Sequence, residues 1–165
     1  MALIVETGQG LAAANALASL EYCTAYHALR GHAAWAAAGA ADQEAAVVRA
    51  SSYLCRHFRW RGQRAVSGQA LAWPRRGVVD AEGREVTADQ VPAAVAEACA
   101  EAALRELTAS LSPDLGRGGL IRRERVAEIE VEYEPGAPGG IRVAVLEELL
   151  APLTLSPGML WAERG

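Results

Sequence analysis

Lysine is absent from this 165-residue chain, and all sixteen basic residues are arginine. That bias fits coding preference and is given no functional weight. Phenylalanine occurs once while alanine is abundant, so the core is expected to consist of closely spaced helices with small side chains. The three cysteines, Cys23, Cys55 and Cys99, are odd in number and widely spaced. That excludes a disulfide framework and points to reduced thiols in a cytoplasmic setting. A chain of this length buries about two-thirds of its unfolded surface in one domain and needs no staple. No run of about eighteen apolar residues escapes Gly or charge, and the first residues show no basic segment leading into an apolar one. Neither secretion nor a membrane span is expected.

Catalytic signatures are missing too. There is no G-x-S-x-G elbow, H-E-x-x-H, Walker loop, paired C-x-x-C or EF-hand loop. The three histidines lack a flanking acid and nucleophile, which leaves general-base chemistry without an agent. No enzyme, catalytic residue, cofactor or metal is therefore expected. Cys23 and His27 could share a helix face, but a metal site needs a third and fourth ligand, so they are assigned to packing. Gly8-x-Gly10-x-x-Ala13 imitates a dinucleotide fingerprint, yet the second strand that such a fingerprint requires is missing. More helix is expected after Ala13, and the glycines are assigned to a plain turn.

What the chain does have is one dense stretch. From Arg56 to Arg76 there are six arginines and no acid, with Phe58, Trp60 and Trp73 set among them. Residues 1–76 hold eight Arg against four acids, about +4, and residues 77–165 hold eight against sixteen, about −8. Arginine pairs with phosphate and rings stack on bases, so the stretch suits a nucleic-acid strand. It equally suits a protein interface, where arginine and tryptophan are the commonest anchors.

In chain order, residues 2–5 read as a short β-like run. Ser19 caps a helix through Arg30, with Gly31 left-handed beyond it, and His32 and Trp35 sit in a turn whose ring folds back on the core. Asp42 caps a second helix to about Phe58, and residues 63–74 read as irregular or weakly extended. Residues 78–86 read as a small hairpin with Gly83 in its turn. Thr87 and Gln90 have capping-box spacing, with Pro92 in the first turn of a third helix over 89–108. Its solvated face is expected to carry Glu97, Glu101, Arg105 and Glu106. After a loop at 113–119, residues 127–134 alternate as a strand with four glutamates on one face. Residues 143–150 give a last short helix. The expected fold is mainly α, a small bundle of three to four helices with a minor antiparallel β-hairpin. A single domain spans 1–151 and a C-terminal tail spans 152–165.

Several motifs together resemble a known family. They are the opening Met-Ala-Leu-Ile-Val-Glu-x-Gly-x-Gly, Ala25-Tyr26-His27-Ala28-x-Arg30-Gly31, Ala45 to Tyr53, Trp60-Arg61-Gly62, Gln69-Ala70-Leu71-Ala72-Trp73-Pro74-Arg75 with Gly77-Val78, Val91-Pro92-x-x-Val95 and Val131-Glu132-Tyr133-x-Pro135-Gly136-Ala137. Over nearly the whole chain this resembles a tailed-phage and prophage family often labelled DnaT-like single-stranded DNA-binding proteins, whose members look like head–tail connector (adaptor) proteins. One departure is Leu11 to Ala18, alanine-rich where the family usually has a polar, aromatic-containing segment.

The resemblance implies a structural subunit of a homo-oligomeric ring, dodecameric in the particle, between the portal protein and a tail or stopper protein. DNA passes through its lumen without sequence-specific binding. The implied location is the virion head–tail junction after assembly in the host cytoplasm, with no membrane contact, and residues 111–125 and 152–165 are expected to order on assembly. A ring interface is heterologous, joining two different faces. Arg59, Arg61, Arg64 and Arg76 are the expected contacts on one face, and Glu128, Glu130 and Glu132 those on the other. Leu160 and Trp161 are expected to meet portal or tail, while Trp60, Trp73 and Tyr53 act as structural anchors. A single-stranded DNA-binding module is the alternative, and an accessory host protein of no phage origin is a third.

Overall fold

The computed structural model describes residues 2–113, the backbone of 123–126 and 129–132, and residues 143–155. Among them are five α-helices: α1 (Leu20–Leu29), α2 (Ala33–Ala37), α3 (Ala40–His57), α4 (Ala93–Glu106) and α5 (Ala144–Leu150). Strand β1 (Gln63–Arg64) pairs antiparallel with β2 (Arg75–Arg76), and β3 (Arg123–Val126) with β4 (Ile129–Glu132). This is a mainly helical fold with minor antiparallel hairpins. No described helix is long and apolar enough to cross a membrane.

Helices α3 and α4 form the central pair, and α1 and α5 both pack on α4. Alanine makes the pairing close: Ala46 and Ala50 on α3, and Ala98, Ala102 and Ala103 on α4, are all fully buried. At that contact Ser51 Oγ donates to Val47 O, lies 3.4 Å from Cys99 Sγ, and accepts from Leu17 N across 34 residues. A buried hydroxyl with partners on each side avoids the penalty of an unpaired polar group.

The helix ends show where local signals win. Ser19 Oγ accepts from Tyr22 N at 3.0 Å, and Gly31 takes φ +66° beyond α1, as the sequence predicts. The expected turn around Trp35 is instead the short helix α2, with the ring buried. Asp42 does not cap α3. The N-cap is Gly39, which leaves Asp42 inside the first turn, where its charge still favours the helix dipole. Helix α4 starts at Ala93, later than expected, because Pro92 is its extended N-cap (ψ 147°). The residue before a proline is steered away from α geometry, so Val91 cannot lie in a helix running from Asp89 and the Thr87 and Gln90 box is not used.

Residues 11–18 are not helical, contrary to expectation. They run back alongside the first residues, with a parallel bridge between Val5 and Ala16 and hydrogen bonds from Asn15 N and Ala16 N to Ile4 O. The cause is Glu6. Its buried carboxylate accepts from Gly8 N (2.8 Å), Gly10 N (2.9 Å) and Leu11 N (2.8 Å). Gly8 and Gly10, at φ +95° and +69°, supply the positive φ this cradle needs. The glycine pair thus holds the chain's own carboxylate.

Residues 63–64, read as part of an irregular or weakly extended stretch, pair with 75–76 in a short hairpin ladder, with Gln63 opposite Arg76 and Arg64 opposite Arg75. Gly62 enters it at φ +64°, and a Cβ there would be driven into the Arg76 carbonyl oxygen. Gly62→Ala is expected to destabilise the fold by about 1–3 kcal/mol through left-handed strain and that clash. Urea unfolding checks it, and a midpoint equal to wild type counts against this account. The 78–86 turn forms as expected, with Val86 N on Val78 O at 2.8 Å and Gly83 at φ +78°.

The strand expected over 127–134 is realised as β4, against β3, a partner the alternation did not reveal. Glu128, Glu134 and most of the 113–119 loop lie outside the described residues, as do Leu160 and Trp161. Part of the segment read as a tail is already placed. Leu153 is buried, Thr154 bridges Trp60, Arg61 N donates to Leu153 O and Leu155 N to Arg59 O.

Candidate functional site

The arginine stretch is divided by the fold into an inside and an outside. From the end of α3 a chain of rings leads inward: His57 on Tyr53 (4.7 Å between centroids), Phe58 against Trp60 (6.0 Å), and Trp60 edge-on to Trp73 (5.6 Å, 86°). Trp73 is wholly buried and Trp60 is 8 % exposed, with Tyr53 buried beside them. Alternation within Phe58-Arg59-Trp60-Arg61 sends rings to the core and leaves Arg59 outside.

Outside stand Arg56, Arg59, Arg64 and Arg76, all exposed, with Arg61 and Arg75 half-buried between them. The hairpin guanidiniums are held by backbone carbonyls. Arg61 Nε donates to Thr154 O at 3.0 Å, and Arg75 donates to Arg61 O, Gly62 O and Ala72 O. Arg64 reaches Gln69 O, and Arg76 reaches Ala65 O. Carbonyls orient a guanidinium without neutralising it. Burial and the neighbouring Arg64 push the Arg75 guanidinium below its ordinary value. The ion pairs among the described residues are Arg49–Glu106, Arg84–Glu82 and Arg105–Glu101, and none involves the six.

On the acidic side, Glu130 and Glu132 lie on β4 directly opposite Arg125 and Arg123 of β3. Positions so paired share one face of a ladder. The glutamates therefore have basic residues across from them in their own hairpin, a pairing that reading 127–134 by itself did not anticipate.

The expected solvated face of α4 is corrected at two positions. Glu101 and Glu106 are buried. Tyr26 Oη donates to Glu101 at 2.9 Å and Arg105 to it at 2.7 Å, while Arg49 Nε reaches Glu106 at 3.0 Å and Leu111 N donates to its other oxygen at 2.8 Å. Burial alone would raise Glu101, but Arg105 and Tyr26 outweigh it and hold the carboxyl below its usual value. The helical spacing of four acids and bases looks solvated because the partners lie on α1 and α3, far off in sequence.

Cys23 and His27 are both core residues. Burial pushes the Cys99 thiol up to about 11 and Cys23 higher still, unsuited to thiolate chemistry at neutral pH. Among the described residues, no three His, Cys, Asp or Glu side chains converge as a metal would require. A cleft of about 440 Å³ beside α3 is lined by Arg49, Ser52, Tyr53, Arg56 and His57, but Arg49 is committed to Glu106 there.

His27 packs on Trp35 at 4.6 Å, with Nε2 3.1 Å from Ala100 O and Nδ1 2.9 Å from His32 Nδ1. A carbonyl only accepts, so Nε2 carries the proton and Nδ1 accepts from His32. Burial lowers the His27 pKa; His32 and Arg30 lower it further, while the Ala100 carbonyl and Glu101 oppose them. Because the folded value lies below the unfolded one of about 6.5, the unfolded chain takes up the proton first. Stability from this site is present above that value and is lost as pH falls toward the folded pKa. Melting temperature is expected to drop between pH 7.5 and 5.5, and His27→Gln to flatten that drop. An equal slope in the variant would remove His27 as the cause.

Compared with family models, the chain matches one described as putative DnaT-like ssDNA binding protein over residues 1–165. No curated protein and no solved structure matches it.

Proposed function

The chain belongs to the family described as putative DnaT-like ssDNA binding proteins, and within that family we propose that it serves as a structural, non-enzymatic connector subunit of a tailed-phage or prophage particle. It assembles with copies of itself into a ring between portal and tail. The observation that carries this reading is the inward placement of Trp60 and Trp73. A binder of single strands relies on exposed rings as stacking platforms; here the two tryptophans hold the fold together, and the surface they leave is cationic and nearly ring-free. The sequence resemblance to connector proteins supplies the particle context.

Sedimentation and native mass of the full chain, alone and with portal protein, test the proposal. A closed oligomer in either condition is the expected result. A subunit that stays monomeric in both overturns it.

A second reading, a single-stranded DNA-binding module, is favoured by the family's description and by the four exposed arginines. It requires a marked preference for single strands.

A further inference from the structure

We infer that Arg56, Arg59, Arg64 and Arg76 form a phosphate-binding surface that takes double-stranded DNA as readily as single-stranded DNA. Three observations carry this.

First, the surface is an uncompensated cation. Six arginines occur between residues 56 and 76 with no acid among them, and no described ion pair reaches any of them. A surface with several arginines and no acid among them attracts a polyanion, whose condensed counterions are released on binding. Second, the hairpin guanidiniums are oriented before any ligand arrives. Arg64 and Arg76 each donate to a backbone carbonyl, and Arg75 donates to three. A side chain already held in place loses less rotamer freedom on binding. Third, the parts that would read unpaired bases are inside. Trp60 and Trp73 meet edge to face in the core. The exposed ring beside the arginines is His57, and Tyr53 stacks on one of its faces. What remains on offer is contact with the sugar–phosphate backbone, which both forms of DNA share.

A neighbouring carboxylate surface is the competing occupant. Glu130 and Glu132 occupy register positions opposite Arg125 and Arg123 in their own hairpin, so that ladder does not present acidic positions alone. The inference does not depend on the ring: mass measurement decides the ring, and titration decides this surface.

Anisotropy titrations of the full chain against labelled duplex and single strands of equal length, at a series of salt concentrations, test it. The logarithm of affinity is expected to fall linearly with the logarithm of salt. The slope should be about −3.6 for four duplex phosphates and about −2.8 for four on a single strand, from roughly 0.9 and 0.7 per phosphate. The two affinities should agree within about tenfold, a margin that covers stacking on one ring at about 1 kcal/mol, or about fivefold. The double variant Arg64→Gln/Arg76→Gln should reduce the steepness on duplex by about 1.8. Since those two side chains also brace the hairpin, Arg59→Gln serves as the second variant and should reduce it by about 0.9. No binding at the lowest salt, a preference for single strands above tenfold, or slopes unchanged in both variants would each overturn the inference.

Discussion

Replacing Trp73 with alanine is expected to cost about 3–5 kcal/mol, the range for truncating a buried aromatic side chain. The ring is wholly buried and meets Trp60 edge-on at 5.6 Å, an arrangement that adds about 0.5–1.5 kcal/mol beyond area burial. Trp60 in turn bridges Thr154, so the loss should spread to the C-terminal contact. Because a domain this size has about 5–15 kcal/mol in total, the variant should sit close to unfolding at physiological temperature. Trp73→Phe keeps much of the ring volume and should lose far less. Chemical denaturation of the three proteins checks the order. A Trp73→Ala midpoint near wild type would show that Trp73 is not an anchor.

Glu6→Ala is the second large effect, expected at about 3–5 kcal/mol. Three backbone N–H groups, of Gly8, Gly10 and Leu11, lose their common acceptor in a buried site. Each buried donor left unpaired costs about 1–3 kcal/mol, less where the loop can relax toward water. Glu6→Gln retains one oxygen, the one that can serve Gly8 and Gly10, but sets an amide NH2 against Leu11 N–H. Its cost should therefore be intermediate. Small carboxylates such as acetate should raise the melting temperature of Glu6→Ala more than that of wild type, since they fill the vacated cradle. If Glu6→Ala melts with wild type, the loop does not depend on this carboxylate.

Much of the helical framework was legible because its signals are local. Ser19 with Gly31 marks both ends of α1, and the apolar spacing from Ala46 to Leu54 gives the buried face of α3. Two of the errors fall where the deciding partner is distant in sequence. Glu101 and Glu106 look like surface residues on α4 until Tyr26 and Arg49 are brought to them. The β1–β2 ladder was hidden because Gln63-Arg64 and Arg75-Arg76 have no strand pattern; carbonyl contacts hold them. Glu6 carried a readable signal in its place just before Gly8-x-Gly10, but the fingerprint reading looked for an external phosphate there. Of the candidate site, the placement of arginines outside and rings inside follows from alternation over 58–61. Which anion meets them does not, since phosphate and carboxylate attract a guanidinium by the same chemistry.

The backbone contact between 59–61 and 153–155 also has a mechanical meaning. Leu155 N on Arg59 O, Arg61 N on Leu153 O and Arg61 Nε on Thr154 O form three adjacent fastenings. Tension applied to the chain beyond residue 155 is delivered first to these bonds, and through Trp60 to the middle of the molecule. Two of the stretch's arginines, Arg59 and Arg61, are the residues that hold these bonds.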